Sequence, residues 1–152
     1  MFNIALVQPE IPPNTGNIIR LCANSGANLH IIHPAAFEFS DKQLRRAGLD
    51  YHEFARVQHH DNLDAFLKKP PGRLFTVETN GDTVYSEVHF QESDTFIFGS
   101  EGPGLSDEMI AAIQPTANLR IPMQSCTRSL NLSNCAALVL YEAWRQLEFC
   151  GS

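Results

Sequence analysis

Four small polar side chains, Ser129, Asn131, Ser133 and Asn134, fall within six positions where an apolar strand gives way to a long apolar helix. Serine and asparagine at such a point cap the helix by accepting hydrogen bonds from its first free N–H groups. One cap accounts for one residue. The remaining hydroxyl and amide groups, together with exposed backbone at the junction, suit a polar small molecule better than they suit core packing. A second segment of this kind, Gly99-Ser100-Glu101-Gly102-Pro103-Gly104, follows the apolar run Thr95 to Phe98. It lacks the G-K-[ST] ending of a P-loop, its G-x-x-G-x-G spacing is not a dinucleotide fingerprint, and Ser100 does not sit in G-x-S-x-G. What remains is a glycine loop that permits close backbone approach, with Glu101 as its one charge. A third polar segment, Asn14 to Arg20, follows the apolar run Phe2 to Gln8 and a proline-rich turn.

The elements that must position these segments alternate in type. Strands are predicted at Phe2 to Gln8, Leu29 to His33, Glu53 to Val57, Arg73 to Thr79, Thr95 to Phe98 and Leu119 to Met123, with a weaker segment from Thr83 to Gln91. Helices are predicted from Ile18 to Gly26, around Ser40 to Ala47, from Asp61-Asn62 onward, from Ser106 to Gln114 and through the C-terminal stretch to Gln146. Alternation of this kind implies an α/β fold with a mainly parallel sheet and helices on both faces. Ligands then bind at the carboxyl ends of the strands, and all three polar segments lie along that edge. The last helix is apolar almost all round from Cys135 to Tyr141, so a second face needs covering; a homodimer is expected, the alternative being a central helix in a monomer.

A chain of 152 residues with 43% hydrophobic content supports one core, and a single domain spanning 1–152 is expected. No apolar run approaches the roughly 20 residues of a membrane span, and the first residues lack the pattern of a signal peptide, so a cytoplasmic protein with no membrane partner is expected. The four cysteines are scattered without a C-x-x-C pair and read as reduced thiols. The six histidines, including His59-His60, show no zinc-ligand spacing, so no metal is expected. A net charge of −6 excludes nucleic-acid binding by bulk electrostatics. Any RNA contact must be local, and Lys42, Arg45 and Arg46, on a short helix opened by the capping box Ser40 and Gln43, are the candidates, with Arg56, His59 and His60 as possible neighbours. Solvated surface charge is the competing reading for each.

Taken together, Asn14-Thr15-Gly16-Asn17-Ile18-Ile19-Arg20, Phe98 to Leu105, and Ile121-Pro122-Met123 with Ser129 to Asn134 resemble the three motifs of the SPOUT methyltransferases in order and spacing. The flanks Pro9 to Asn17 and Arg46-Ala47-Gly48-Leu49-Asp50-Tyr51 are similar to the small TrmL/YibK group of that family. The resemblance covers essentially the whole chain. It implies an α/β sheet with a deep C-terminal trefoil knot, which no periodicity argument would propose, and a homodimer. It also implies S-adenosylmethionine bound in a bent form against the three loops. Val77, Gly99, Ile121, Met123 and Ser129 fall on the family's cofactor contacts, mostly through backbone, and Arg20 falls on its reactive position, with Glu101 and Asn131 as supports.

The implied reaction is methylation of a ribose 2′-hydroxyl of tRNA, at the wobble nucleotide (cytidine or uridine 34) of the anticodon loop, in leucine acceptors by analogy. A guanidinium stays protonated at neutral pH, so Arg20 is expected to grip a phosphate and stabilise charge on the 2′ oxygen, with a phosphate or Glu101 accepting the proton. The glycine loop reads Ser-Glu-Gly-Pro-Gly where some relatives carry Glu-Thr-Arg-Gly, so an arginine able to meet RNA is absent. Rival readings are methylation of another tRNA or ribosomal RNA site, a non-catalytic RNA- or nucleotide-binding module, and a flavodoxin-like nucleotide binder, which the missing phosphate signature disfavours.

Overall fold

The computed structural model describes residues 1–37 and 56–152. The described elements, in chain order, are β1 (Asn3–Val7), α1 (Pro12–Ser25), β2 (Asn28–Ile32), β3 (Val57–His60), α2 (Leu63–Leu67), β4 (Leu74–Val77), β5 (Thr83–Val84), β6 (Thr95–Phe98), α3 (Asp107–Ile113), β7 (Ala117–Arg120) and α4 (Leu132–Gln146). The strands form one seven-stranded sheet in the order β3-β2-β1-β6-β4-β7-β5, with every pairing parallel.

The side-chain period of two divides each central strand between two cores. Ile4 and Leu6 of β1, Phe75 of β4 and Phe96 and Phe98 of β6 join Ile18, Ile19 and Cys22 of α1 and Val139, Leu140 and Ala143 of α4 in one buried cluster. Ala5, Val7 and Ile97 join Phe66 of α2 and Ile113 of α3 in the other. Helices therefore cover both faces, as the alternation of elements predicts. No described helix is long and apolar enough to cross a membrane.

Several boundaries differ from the sequence reading. Helix α1 begins at Pro12 rather than Ile18, because prolines at its first two positions need no hydrogen-bond partner for their nitrogens; it ends, as expected, at Gly26 in the left-handed conformation. Asn14 to Arg20 is therefore the early part of a helix and not a loop. Strand β7 stops at Arg120, short of Met123, since Pro122 cannot donate to a ladder. Between Thr83 and Gln91 only Thr83–Val84 pairs, followed by a single turn of 3₁₀ helix at Tyr85–Glu87. Of the predicted strand Glu53 to Val57 only the end is described, and β3 continues to His60 by pairing with β2.

The right-hand half of the sheet contains a chain crossing. Strand β7 lies between β4 and β5, and Leu119 is in register with Val77 on one side and Thr83 on the other. The connection 78–82 must therefore pass across β7 at Leu119. It does so in close contact: the Glu78 N–H donates to the Leu119 carbonyl at 2.9 Å, and a Cβ on Gly81 would lie 2.4 Å from that same oxygen. Only glycine permits this approach. Such a crossing is the local geometry that a knotted C-terminal region of the kind implied by the resemblance requires.

Candidate functional site

The carboxyl ends of β4, β6 and β7 open onto a cavity of about 320 Å³. Its walls are the end of β4 (Val77, Glu78, Thr79), the glycine loop after β6 (Gly99 to Gly104), the segment after β7 (Ile121, Met123, Ser129, Leu130) and the starts of α1 and α4 (Ile11, Asn14, Asn131, Leu132, Cys135). All five residues expected to contact a cofactor, Val77, Gly99, Ile121, Met123 and Ser129, lie in this lining, as do Glu101 and Asn131. Arg20 does not; it is exposed on α1, nearly two turns beyond Asn14. Lys42, Arg45 and Arg46 lie outside the described residues.

A polar chain ties the three motifs together. Helix α1 has no capping side chain of its own and no acidic residue in its first turn. Glu101 supplies both from the glycine loop. Its Oε2 accepts from the Glu10 N–H at 2.8 Å, and its Oε1 accepts from the Ile11 N–H at 3.2 Å and from Asn14 Nδ2 at 3.0 Å. A carboxylate at a helix N-terminus also meets the positive end of the helix dipole. Because an ionised carboxylate only accepts, Asn14 must present its amide NH₂ to Glu101 and its oxygen elsewhere. That oxygen accepts from Asn131 Nδ2 at 2.9 Å. Asn131 is then left with its own oxygen for the start of α4, where it accepts from Ser133 N at 2.9 Å and Ser133 Oγ at 2.6 Å. The chain of hydrogen bonds thus has a fixed sense from Ser133 to Glu101.

The structure brings to this site two residues that sequence reasoning missed, only the first of them in the network. Asn14 was part of a recognised motif but had no assigned role; it is 5% exposed and joins Glu101 to Asn131. Glu78, at the end of β4, faces the same cavity. Its only sequence signal is a carboxylate near the end of the strand predicted from Arg73 to Thr79. Burial pushes its carboxyl above the ordinary range, partly opposed by the Leu105 N–H, which donates to Oε1 at 2.9 Å. Cys135 also lines the cavity, but burial raises its thiol too, which removes it as a ready nucleophile.

The three residues offered as neighbours of the RNA candidates, which themselves lie outside the described residues, are spread over both edges of the sheet. Arg56 precedes β3 and donates to the Gly26 carbonyl at 2.6 Å, beyond the C-terminal end of α1 and at the opposite edge of the parallel sheet. His60 is paired with His30 at 3.0 Å across β2 and β3, stacked ring on ring. His59 is exposed and pairs with His33 at 2.9 Å, at the carboxyl end of the sheet. His59 and His60 both belong to β3, which runs three residues further than the sequence suggested.

The cavity has two carboxylates and, among the described lining residues, no lysine, arginine or histidine. Its walls are otherwise backbone, small hydroxyl and amide groups and apolar side chains. A site of this composition holds and orients a polar molecule that is neutral or cationic.

Known proteins agree with this arrangement. The SpoU rRNA Methylase family matches residues 1–141. A tRNA (cytidine(34)-2'-O)-methyltransferase of Methylovorus glucosotrophus is 54% identical over 153 residues, covering 100% of this chain and 99% of the relative. A solved structure described as giving structural insights into the 2-OH methylation of C/U34 on tRNA superposes with a TM-score of 0.87 at 41% identity, covering 97% of each chain. The AdoMet-bound rRNA methyltransferase from Sinorhizobium meliloti gives a TM-score of 0.81 at 25% identity, covering 96% of this chain and 56% of that one.

Proposed function

The chain belongs to the SpoU rRNA methylase family, and from that membership we propose that it uses S-adenosylmethionine to methylate the ribose 2′-hydroxyl of the wobble nucleotide, cytidine or uridine 34, in the anticodon loop of tRNA. The observation that carries this reading is the full-length 54% identity to a tRNA (cytidine(34)-2'-O)-methyltransferase. The site supports it independently. A cavity of about 320 Å³ falls in the size range of small-molecule sites, and its carboxylates suit a cationic sulfonium compound.

The bound cofactor supplies an activated methyl group. The protein's task is to place the hydroxyl, stabilise charge on its oxygen and exclude water. Val77, Gly99, Ile121, Met123 and Ser129 hold the cofactor. Arg20, outside the cavity lining, grips the phosphate beside the target ribose and stabilises the charge that develops on the 2′ oxygen. Glu101 and Asn131 act as positioning residues. The carboxylate of Glu101 already accepts three hydrogen bonds, so its role is to orient α1, and with it Arg20, relative to the cofactor. A phosphate of the substrate then takes the hydroxyl proton.

RNA is gripped by the methyltransferase domain itself, through Lys42, Arg45 and Arg46, in the cytoplasm. An anticodon loop suits so small a surface because its bases are unstacked and its 2′-hydroxyls within reach. A second copy completes the enzyme. Leu138 and Tyr141, one turn apart on α4, are 42% and 43% exposed, and Ile11, Met123 and Leu130 at the cavity rim are exposed as well. Apolar surface of this extent on and beside α4 is what a homodimer covers. Light scattering at low micromolar concentration should give the mass of two chains; a single-chain mass would rule the dimer out.

Incubation with labelled S-adenosylmethionine and tRNA from a strain deleted for the gene tests the reaction. Label should appear at nucleotide 34 of leucine acceptors when nuclease fragments are resolved by mass spectrometry. Label at another nucleotide, or in ribosomal RNA, would overturn the substrate, and an absence of label in any RNA would overturn the reaction.

A further inference from the structure

Glu78 has no part in the network that orders the three motifs. It begins the connection that crosses β7, and its backbone N–H is held by the Leu119 carbonyl at 2.9 Å. The side chain is anchored at one oxygen, where Oε1 accepts from Leu105 N at 2.9 Å. Oε2 accepts no hydrogen bond, and the carboxylate meets no cation, among the described residues. Gly104 is what allows the carboxylate to lie in the cavity wall. A Cβ there would sit 2.8 Å from Oε2, and the residue has φ +70, a conformation that favours glycine.

A half-buried carboxylate without a cationic partner is costly unless something charged arrives to meet it. Glu101, the other acid in the cavity, is already satisfied by three donors. Glu78 is therefore the group with charge to spare. On the methyltransferase reading, the arriving ligand and the departing one differ in that charge. When the methyl leaves, sulfur keeps the electron pair of the broken C–S bond and becomes a neutral thioether, so S-adenosylhomocysteine carries one positive charge fewer than S-adenosylmethionine.

We propose that Glu78 is the residue that makes this cavity prefer the cationic cofactor to its neutral product. The preference is electrostatic, acting between the carboxylate and the sulfonium charge inside a cavity partly shielded from water. It favours loading of the methyl donor in the presence of product and weakens the hold on product once the charge is gone. A hydrogen bond from Glu78 to a ribose hydroxyl would do neither, since both ligands share that group. The inference rests on the methyltransferase reading above.

Calorimetric titration of the intact chain and of Glu78→Gln with S-adenosylmethionine, S-adenosylhomocysteine and sinefungin, whose amine provides a cation in place of the sulfonium, separates the possibilities. Glutamine keeps the length and an oxygen for the Leu105 N–H. The expected result is a loss of about tenfold or more for the two cations and little change for S-adenosylhomocysteine, so that the preference ratio falls by about the same factor. Equal losses for all three ligands would show a shared polar contact and overturn the proposal, as would three unchanged affinities. Glu78→Thr, a second neutral replacement, should repeat the pattern and serves in place of the glutamine variant if that chain lacks a cooperative melt. Failure of the wild-type chain to bind any of the three would instead overturn the cofactor reading beneath it.

Discussion

Arg20→Ala should lower methyl transfer by about 100-fold or more while leaving cofactor affinity intact, the scale expected when one charge-stabilising group is lost. The two effects separate because of where the residue sits. Arg20 is exposed and outside the cavity lining, so the cofactor's walls are unchanged by its removal. Its neighbours Ile18, Ile19 and Cys22 are buried against the sheet and keep α1 in place. The helix start is held independently by Glu101. What disappears is a permanent positive charge that stabilises the 2′ oxygen as it attacks. A single-turnover assay with saturating S-adenosylmethionine, run beside calorimetric titration of the same variant, reads both quantities. Activity near that of the wild type would move the charge-stabilising role to another residue, and loss of cofactor binding would make Arg20 structural.

Gly99→Val should abolish S-adenosylmethionine binding in calorimetry. Sequence reasoning places the added side chain against the ligand. The structure shows a more severe conflict within the loop itself: a Cβ on Gly99 would lie 2.2 Å from the Gly104 carbonyl carbon, 2.4 Å from Leu105 N and 2.7 Å from Gly104 Cα. These are backbone atoms and cannot step aside as a flexible side chain can. The loop must open, and three contacts go with it. The Gly104 N–H loses the Ser100 carbonyl, at 3.0 Å in the intact loop. Leu105 is drawn away from Glu78, and Glu101 from the start of α1. A smaller residue offers little relief, because the conflict begins at Cβ, so Gly99→Ala should also lose most of its affinity. Circular dichroism of both variants checks that the sheet survives; affinity equal to the wild type in the valine variant would take the loop out of the pocket.

Much of the architecture was legible because the relevant forces are local. The run Thr95 to Phe98 is apolar in every side chain after its threonine and bounded by an acidic residue and glycine, which marks a strand buried on both faces wherever it lies in the sheet. Gly26 stops α1, and Asn131 and Ser106 cap their helices, because a residue's backbone conformation and its short side chain act within one turn. The three polar segments could be assigned to one edge of the sheet from the alternation of elements alone. The seven lining residues named in advance, from Val77 to Asn131, depended on family resemblance for their roles.

The rest was decided between segments far apart in the chain. The start of α1 was misplaced because its cap is a carboxylate about 90 residues away, and nothing in the local sequence of Pro12 to Asn17 announces that partner. Asn14 and Asn131 are 117 positions apart, and each has several possible partners until the sheet brings β1, β6 and β7 to a common edge. Glu78 reads as an ordinary polar residue at a strand end until the connection 78–82 is seen to cross β7. Strand order, that crossing and the direction of the hydrogen-bond chain belong to the tertiary structure, because periodicity and propensity specify which segments become strands and helices but not which of their ends meet. The sequence by itself determined the elements and the polarity of their ends; the tertiary structure decided which carboxylate would be spent on holding a helix and which would remain to meet a charged ligand.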